Sequence, residues 1–132
     1  MVSDRVGDFI IRLQNAGMVG KANVSLPYSA YLESVARKLR ELGYVANVDT
    51  STKAKGGKSL EVTLAFDERG KSKIHGVKRI SKPGRRLYTS SKEAHGVKNG
   101  MGARIISTPK GILSDSEARK VRAGGENLFE IW

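Results

Sequence analysis

Ser107, Thr108, Lys110 and Gly111 fall together in the stretch ISTPKGILSD, residues 106–115. Small hydroxyls both donate and accept hydrogen bonds. They can reach phosphate oxygens, base edges or a ribose 2′-OH without ordering a long side chain, and the 2′-OH, itself donor and acceptor, distinguishes RNA from DNA. Lys110 adds a mobile positive charge, Gly111 lets a backbone come close, and a helix start at Ser114 would add free N–H groups that favour anions. The plain alternative is an ordinary strand-to-helix connection with polar turn residues. Glu126 follows Gly124-Gly125. Among so many cations a carboxylate is repelled by phosphate unless it has a specific role. It can accept from a cytosine amino group or a 2′-OH, or orient a lysine such as Lys110. A surface glutamate at a strand start is the competing reading. Tyr88, just after Arg85-Arg86, can stack on a base or sit in a core.

Other chemistry is missing. With no cysteine, disulfides, thiolate metal sites and cysteine nucleophiles are excluded. His75 and His95 lack ligand-spaced partners, and both read as solvated. Asp67-Glu68 lies in a turn, while Asp115 and Glu117 are explained by helix capping and the dipole. No phosphate-cradling, dinucleotide-binding or nucleophile-elbow motif is present. We therefore expect no catalytic residue, metal or cofactor, and no enzymatic activity.

The balance of charge narrows the partner. The 132 residues carry a net charge of +11, with a pI near 10.1 and a mean hydropathy of −0.38. Such a chain folds, and it attracts polyanions, either nucleic acid or an anionic membrane surface. No basic amphipathic helix with bulky aromatics is evident. No apolar run approaches the ~20 residues that span a bilayer. The opening MVSDRVGDFI lacks a basic-then-apolar leader, so no export signal and a cytoplasmic location are expected.

The elements that must position these groups follow from periodicity. A helix is predicted over Asp4–Ala16, with Val6, Phe9, Ile10 and Leu13 on one face, Ser3 or Asp4 as cap and Gly17 as stop. Val24–Leu26 reads as a short strand ended by Pro27. Ser29 caps a second helix with the stripe Leu32, Val35, Ala36, Leu39 and Leu42, stopped at Gly43. A strand from Tyr44 to Val48, a loop over 51–59 and an alternating strand from Leu60 to Phe66 complete an α-β-α-β-β half. Asp67 to Gly70 is the expected junction. Lys71 to Lys92 contains no acidic residue. At its centre Lys82-Pro83-Gly84-Arg85 suggests a type II turn between strands Val77–Ile80 and Arg86–Thr89, a hairpin with a basic tip. A short helix or loop over 91–99, a strand over Ala103–Thr108, a helix from Asp115 to Arg122 opened by a Ser114–Glu117 capping box, and a strand from Glu126 to Trp132 follow. The expected fold is α+β with two small subdomains: residues 1–67 α/β, and residues 71–132 mostly β with a short helix.

Read along the chain, VKRISKPGRRLY, GMGARIISTPKGILSDSEARKVRAGGE and SDRVGDFIIRLQNAG resemble the bacterial small-subunit ribosomal protein S-eight family. Its strand–Lys/Arg-Pro-Gly–strand segment, Ser-Thr-Ser-Lys-Gly loop, Asp-x-x-Ala-Arg helix start, late Gly-Gly-Glu and Asp-x-x-x-Arg-x-x-Asn-Ala opening recur here in order, and RELGYV matches its helix ending. Departures are Pro109 for a usual serine, Arg5 for a proline, Gly7 for an alanine and Gln14 for an arginine. The resemblance implies a ribosomal constituent that binds the central domain of small-subunit (16S) ribosomal RNA directly and aids 30S assembly. It also implies that the protein touches the neighbouring proteins S-five and S-twelve and represses its own operon messenger in many bacteria. It further implies an RNA-reading surface of Ser107, Thr108, Lys110, Gly111, Gly124, Gly125 and Glu126, flanked by Tyr88, Arg85 and Arg86, with RNA-backbone contacts from Arg12, Asn15 and Lys21.

Two other classes compete on charge alone. A basic DNA-binding or membrane-surface module predicts equal affinity for duplex DNA or anionic vesicles. A small nucleotide-dependent enzyme using Lys110 and the helix start at Ser114 predicts nucleotide turnover, yet it lacks a metal-binding carboxylate at suitable spacing.

Overall fold

A computed structural model describes residues 4–52, 56–89 and 102–132. The chain divides into two compact units, residues 8–75 and residues 1–7 together with 76–132. The expected helix or loop over 91–99, and His95 within it, lie outside the described residues.

Helix α1 (Arg5–Met18), of which all but the first three residues belong to the unit of residues 8–75, leads to strand β1 (Asn23–Pro27), helix α2 (Ala30–Glu41) and strands β2 (Val45–Thr52) and β3 (Lys58–Leu64). This is the α-β-α-β-β order the periodicity predicts. The sheet order is β1-β3-β2, antiparallel throughout. Phe9, Ile10 and Leu13 of α1, Val35, Ala36 and Leu39 of α2, and Leu60, Val62 and Leu64 of β3 are buried, because helical and alternating spacings gather apolar side chains onto single faces. Ser29 Oγ accepts from Leu32 N at 3.3 Å, capping α2 as expected.

Several details differ from the sequence reading, among them the end of β3, at Leu64 rather than Phe66, and Pro27, which closes β1 from within. α1 runs past Gly17 to Met18, and the left-handed residue that follows it is Gly20, at φ 76°. Gly17 instead lets Ser72 approach, since a Cβ there would stand 2.6 Å from Ser72 Oγ. Leu42 is not in the buried stripe; it is the C-cap residue of α2 and is exposed. Ser51, Thr52, Lys58 and Ser59 belong to β2 and β3 rather than to a loop. Asp67 makes a tight turn, its Oδ1 accepting from Arg69 N and Lys71 N.

In the other unit the strands are β4 (Val77–Arg79), β5 (Tyr88–Thr89), β6 (Ala103–Thr108), β7 (Gly111–Ser114) and β8 (Gly125–Ile131), with helix α3 (Asp115–Val121) between β7 and β8. The order is β4-β8-β6-β7, and β5 also pairs β8. Ile106 and Ala118 are fully buried together, which places α3 against β6. The capping box is present: Ser114 Oγ accepts from Glu117 N, and Glu117 Oε1 accepts from Ser114 N.

The basic hairpin expected over 77–89 does not form. β4 and β5 both pair with β8 and not with each other. Arg79 lies opposite Phe129 and Tyr88 opposite Glu126, so the chain runs along one edge of β8, leaves it and returns. Lys82 and Arg85 bond mutually, N–H to C=O, at 3.0 and 2.9 Å. Gly84 does not take the positive φ of a type II turn. A Pro-Gly signal marks a reversal but does not choose the partner strand.

Candidate nucleic-acid interface

Ser107 and Glu126 face each other across β6 and β8. Glu126 also pairs with Tyr88 on β5, and Ser107 with Ile112 on β7. Directly opposed residues of antiparallel strands project to the same side. Four strands thus set Tyr88, Glu126, Ser107 and Ile112 in one row across the sheet. Tyr88 is 70% exposed, so it is not a core tyrosine. Gly125 makes the row possible: a Cβ on it would lie 2.0 Å from the Ser107 carbonyl oxygen. Gly124 precedes it, between α3 and β8.

The opening stretch is a β-hairpin, which corrects the reading of a strand leading directly to a helix. Thr108 and Gly111 pair at the end of the β6–β7 ladder. Thr108 Oγ1 accepts from Lys110 N at 3.1 Å and donates to Gly111 O at 2.8 Å. Pro109 sits second in this turn, where a fixed φ suits the chain and no N–H is required. Gly111, at φ 116°, takes a conformation that side chains disfavour. Lys110 Nζ donates to Val121 O at 3.0 Å, a cation at the carbonyl end of α3. Glu126 does not orient this lysine.

Glu126 is instead tied to the loop over residues 82–86. Its Oε2 accepts from Ser81 Oγ and, at 2.9 Å, from Arg86 NH1. Burial raises its carboxyl pKa, but the Ser81 hydroxyl and the Arg86 guanidinium outweigh burial and hold it below the ordinary carboxylate range. It is therefore ionised at neutral pH and purely an acceptor. Arg85 is exposed in the turn. Arg79 bonds Leu128 O and Asp4 at 2.8 and 2.7 Å.

In residues 8–75, Arg12, Asn15 and Lys21 line one cleft of about 400 Å³ with Ala16, Val19, Val24 and Ser25. Arg12 NH1 donates to Ser25 O at 3.2 Å. The sequence reading missed Ser81 and Ile112: a serine before Lys-Pro-Gly looks like any turn residue, and Ile112 entered the row only through β7. His75 is exposed, as expected. Among the described residues no three acidic or histidine side chains group as metal ligands, and no helix is long and apolar enough to cross a membrane.

A family model described as ribosomal protein S8 matches residues 4–132 of this chain. The chain belongs to that ribosomal protein S8 family. Relatives named small ribosomal subunit protein uS8 are similar along nearly their whole length. The Paracoccus denitrificans protein is 40% identical over 131 residues, 99% of this chain and 98% of its own. The Helicobacter pylori protein is 40% identical over 132 residues, all of both chains, and the Chloroflexus aurantiacus protein 38% over 131. The S8 match spans both compact units, so the row on β5, β8 and β6 and the Arg12 cleft both lie within the matched span.

Proposed function

We propose that this chain is a structural constituent of the small ribosomal subunit and binds the central domain of its RNA directly, early in assembly, beside the neighbouring proteins S-five and S-twelve. The supporting observation is the row of Tyr88, Glu126 and Ser107, bordered by the Thr108–Gly111 turn, Lys110 and the 82–86 loop. An aromatic face, hydroxyls and a carboxylate read an RNA's shape and 2′-hydroxyls, while Arg85, Arg86, Lys110 and, at the separate cleft, Arg12 and Lys21 supply phosphate contacts. Asn15 adds hydrogen bonds to the backbone, and Gly111, Gly124 and Gly125 keep the surface low. A stem of the same shape in the protein's own operon messenger would bind the same face.

Neutralising about five to eight phosphates gives a slope of log K against log salt of roughly −4 to −7. Filter binding of the full chain to a central-domain stem, a scrambled stem, duplex DNA and anionic vesicles tests this. The cognate stem should win, Ser107→Ala should lose discrimination, and Lys110→Ala should also flatten the slope by roughly 1. A flat salt response, equal affinity for DNA or vesicles, or wild-type binding by both variants would overturn the assignment.

A further inference from the structure

Ser81 sits where the chain leaves β8. Its N–H donates to Asn127 O at 2.9 Å, and Asn127 N donates back to Leu87 O at 2.9 Å, where the chain returns. Between these points Ser81 Oγ accepts from Leu87 N at 3.1 Å and donates to Glu126 Oε2. The residue is 0% exposed. A hydroxyl has one proton, and here the carboxylate takes it while the amide uses a lone pair, so the group is directional. One buried atom therefore closes the neck of the 82–86 loop and fixes the half-buried carboxylate in the middle of the row, next to the exposed Tyr88.

Oε2 of Glu126 is committed to Ser81 and Arg86, while Oε1 accepts from nothing among the described residues. Arg86 alone would hold the carboxylate poorly, because its side chain is 49% exposed and long exposed side chains gain little from pairing. A carboxylate free to swing would meet phosphates as often as donors. Resting on the proposed RNA-binding role of this face, we propose that Ser81 is a positioning residue that locks Glu126 so that Oε1 is offered to a neutral hydrogen-bond donor of the RNA. Ser81 touches no RNA itself. It sets selectivity through Glu126, and it contributes no charge to affinity.

The test is binding of the full chain to cognate and scrambled stems across salt, for Ser81→Ala, Ser81→Cys, Glu126→Ala and the double variant Ser81→Ala/Glu126→Ala, with thermal unfolding measured alongside. Cysteine keeps the side-chain shape with a somewhat larger terminal atom and is a weak donor, so it carries the test should Ser81→Ala unfold. Expected are an about tenfold loss of cognate affinity for either Ser81 variant, about 1.4 kcal/mol, unchanged scrambled-stem affinity, an unchanged salt slope, and no additional loss when Ser81→Ala is placed on Glu126→Ala. Wild-type discrimination by both Ser81 variants overturns the positioning role, as does a Ser81→Ala loss that persists undiminished in the Glu126→Ala background. Wild-type discrimination by Glu126→Ala overturns the proposal differently, by showing that the carboxylate does not face RNA at all.

Discussion

Replacing Gly125 by alanine should damage fold and binding together. The added Cβ would stand 2.0 Å from the Ser107 carbonyl oxygen, 2.8 Å from its carbon and 3.0 Å from Thr108 Cα. All three are backbone atoms, so no rotamer change relieves the clash. β6 and β8 must part by roughly 1 Å or more, which takes ladder hydrogen bonds out of good geometry. One or two such bonds at ~1 kcal/mol each, with overpacking of ~1–3 kcal/mol, give a destabilisation of about 3 kcal/mol. For a chain of this size that lowers Tm by about 10 °C. Because the parting separates Ser107 from Glu126, cognate-stem affinity should also fall by about tenfold, a cost of ~1.4 kcal/mol. Calorimetry and filter binding read the two effects. Gly84→Ala is the control, since nothing lies within 4 Å of its added Cβ and its φ is ordinary; its Tm should stay within about 2 °C of wild type. Were Gly125→Ala to melt with the wild type and bind normally, the close-approach argument would be refuted.

Gly7→Ala should destabilise despite the ~1 kcal/mol helix-propensity gain, because its Cβ would stand 2.3 Å from Asp4 Oδ2 and displace the carboxylate that caps Gly7 N and pairs with Arg79. In an Asp4→Ala background the same change should stabilise, and equal Tm shifts in both backgrounds would count against the idea. Burial raises the Asp4 pKa, but Arg79 and the Gly7 N–H outweigh it and the net direction is down, as for Glu126. Near pH 4 the folded state thus binds fewer protons than the unfolded state, so stability is full above about pH 5 and falls as acid drives the pH through the lowered values. Asp4→Asn with Glu126→Gln should flatten Tm against pH over that window, whereas an unchanged slope would assign it to other carboxylates. Thr108→Val removes two turn hydrogen bonds and should cost about 1–2 kcal/mol, read from urea midpoints; a midpoint like wild type would make the hydroxyl's role in the turn dispensable.

What was legible in the sequence was local. The Ser114–Glu117 box, the strand from Ala103 to Thr108 and the α2 stripe through Leu39 emerge where predicted, because each depends on spacings of a few residues. What stayed hidden needed distant partners. Ile112 and Leu113 are too few to show alternation, so β7 reads as a connection. The legs beside Lys82-Pro83-Gly84-Arg85 chose β8, about 45 residues on. Gly17 suggested a helix stop, yet its use is to admit Ser72. In the candidate interface, residue types singled out Ser107, Glu126 and Tyr88, and strand register aligns them; nothing in the sequence tied Glu126 to Ser81 or Lys110 to Val121.

Asp4 to Gly7 group with residues 76–132, and Asp4 holds Arg79. A nascent chain therefore exports a piece of its second half first. Asp4 has the Gly7 N–H within its own helix turn, but its pairing with Arg79 must wait until residue 79 has been synthesised. Anything fused ahead of the first helix would thus disturb the later unit, the one bearing Ser107 and Glu126, rather than the earlier one to which it lies nearer in sequence.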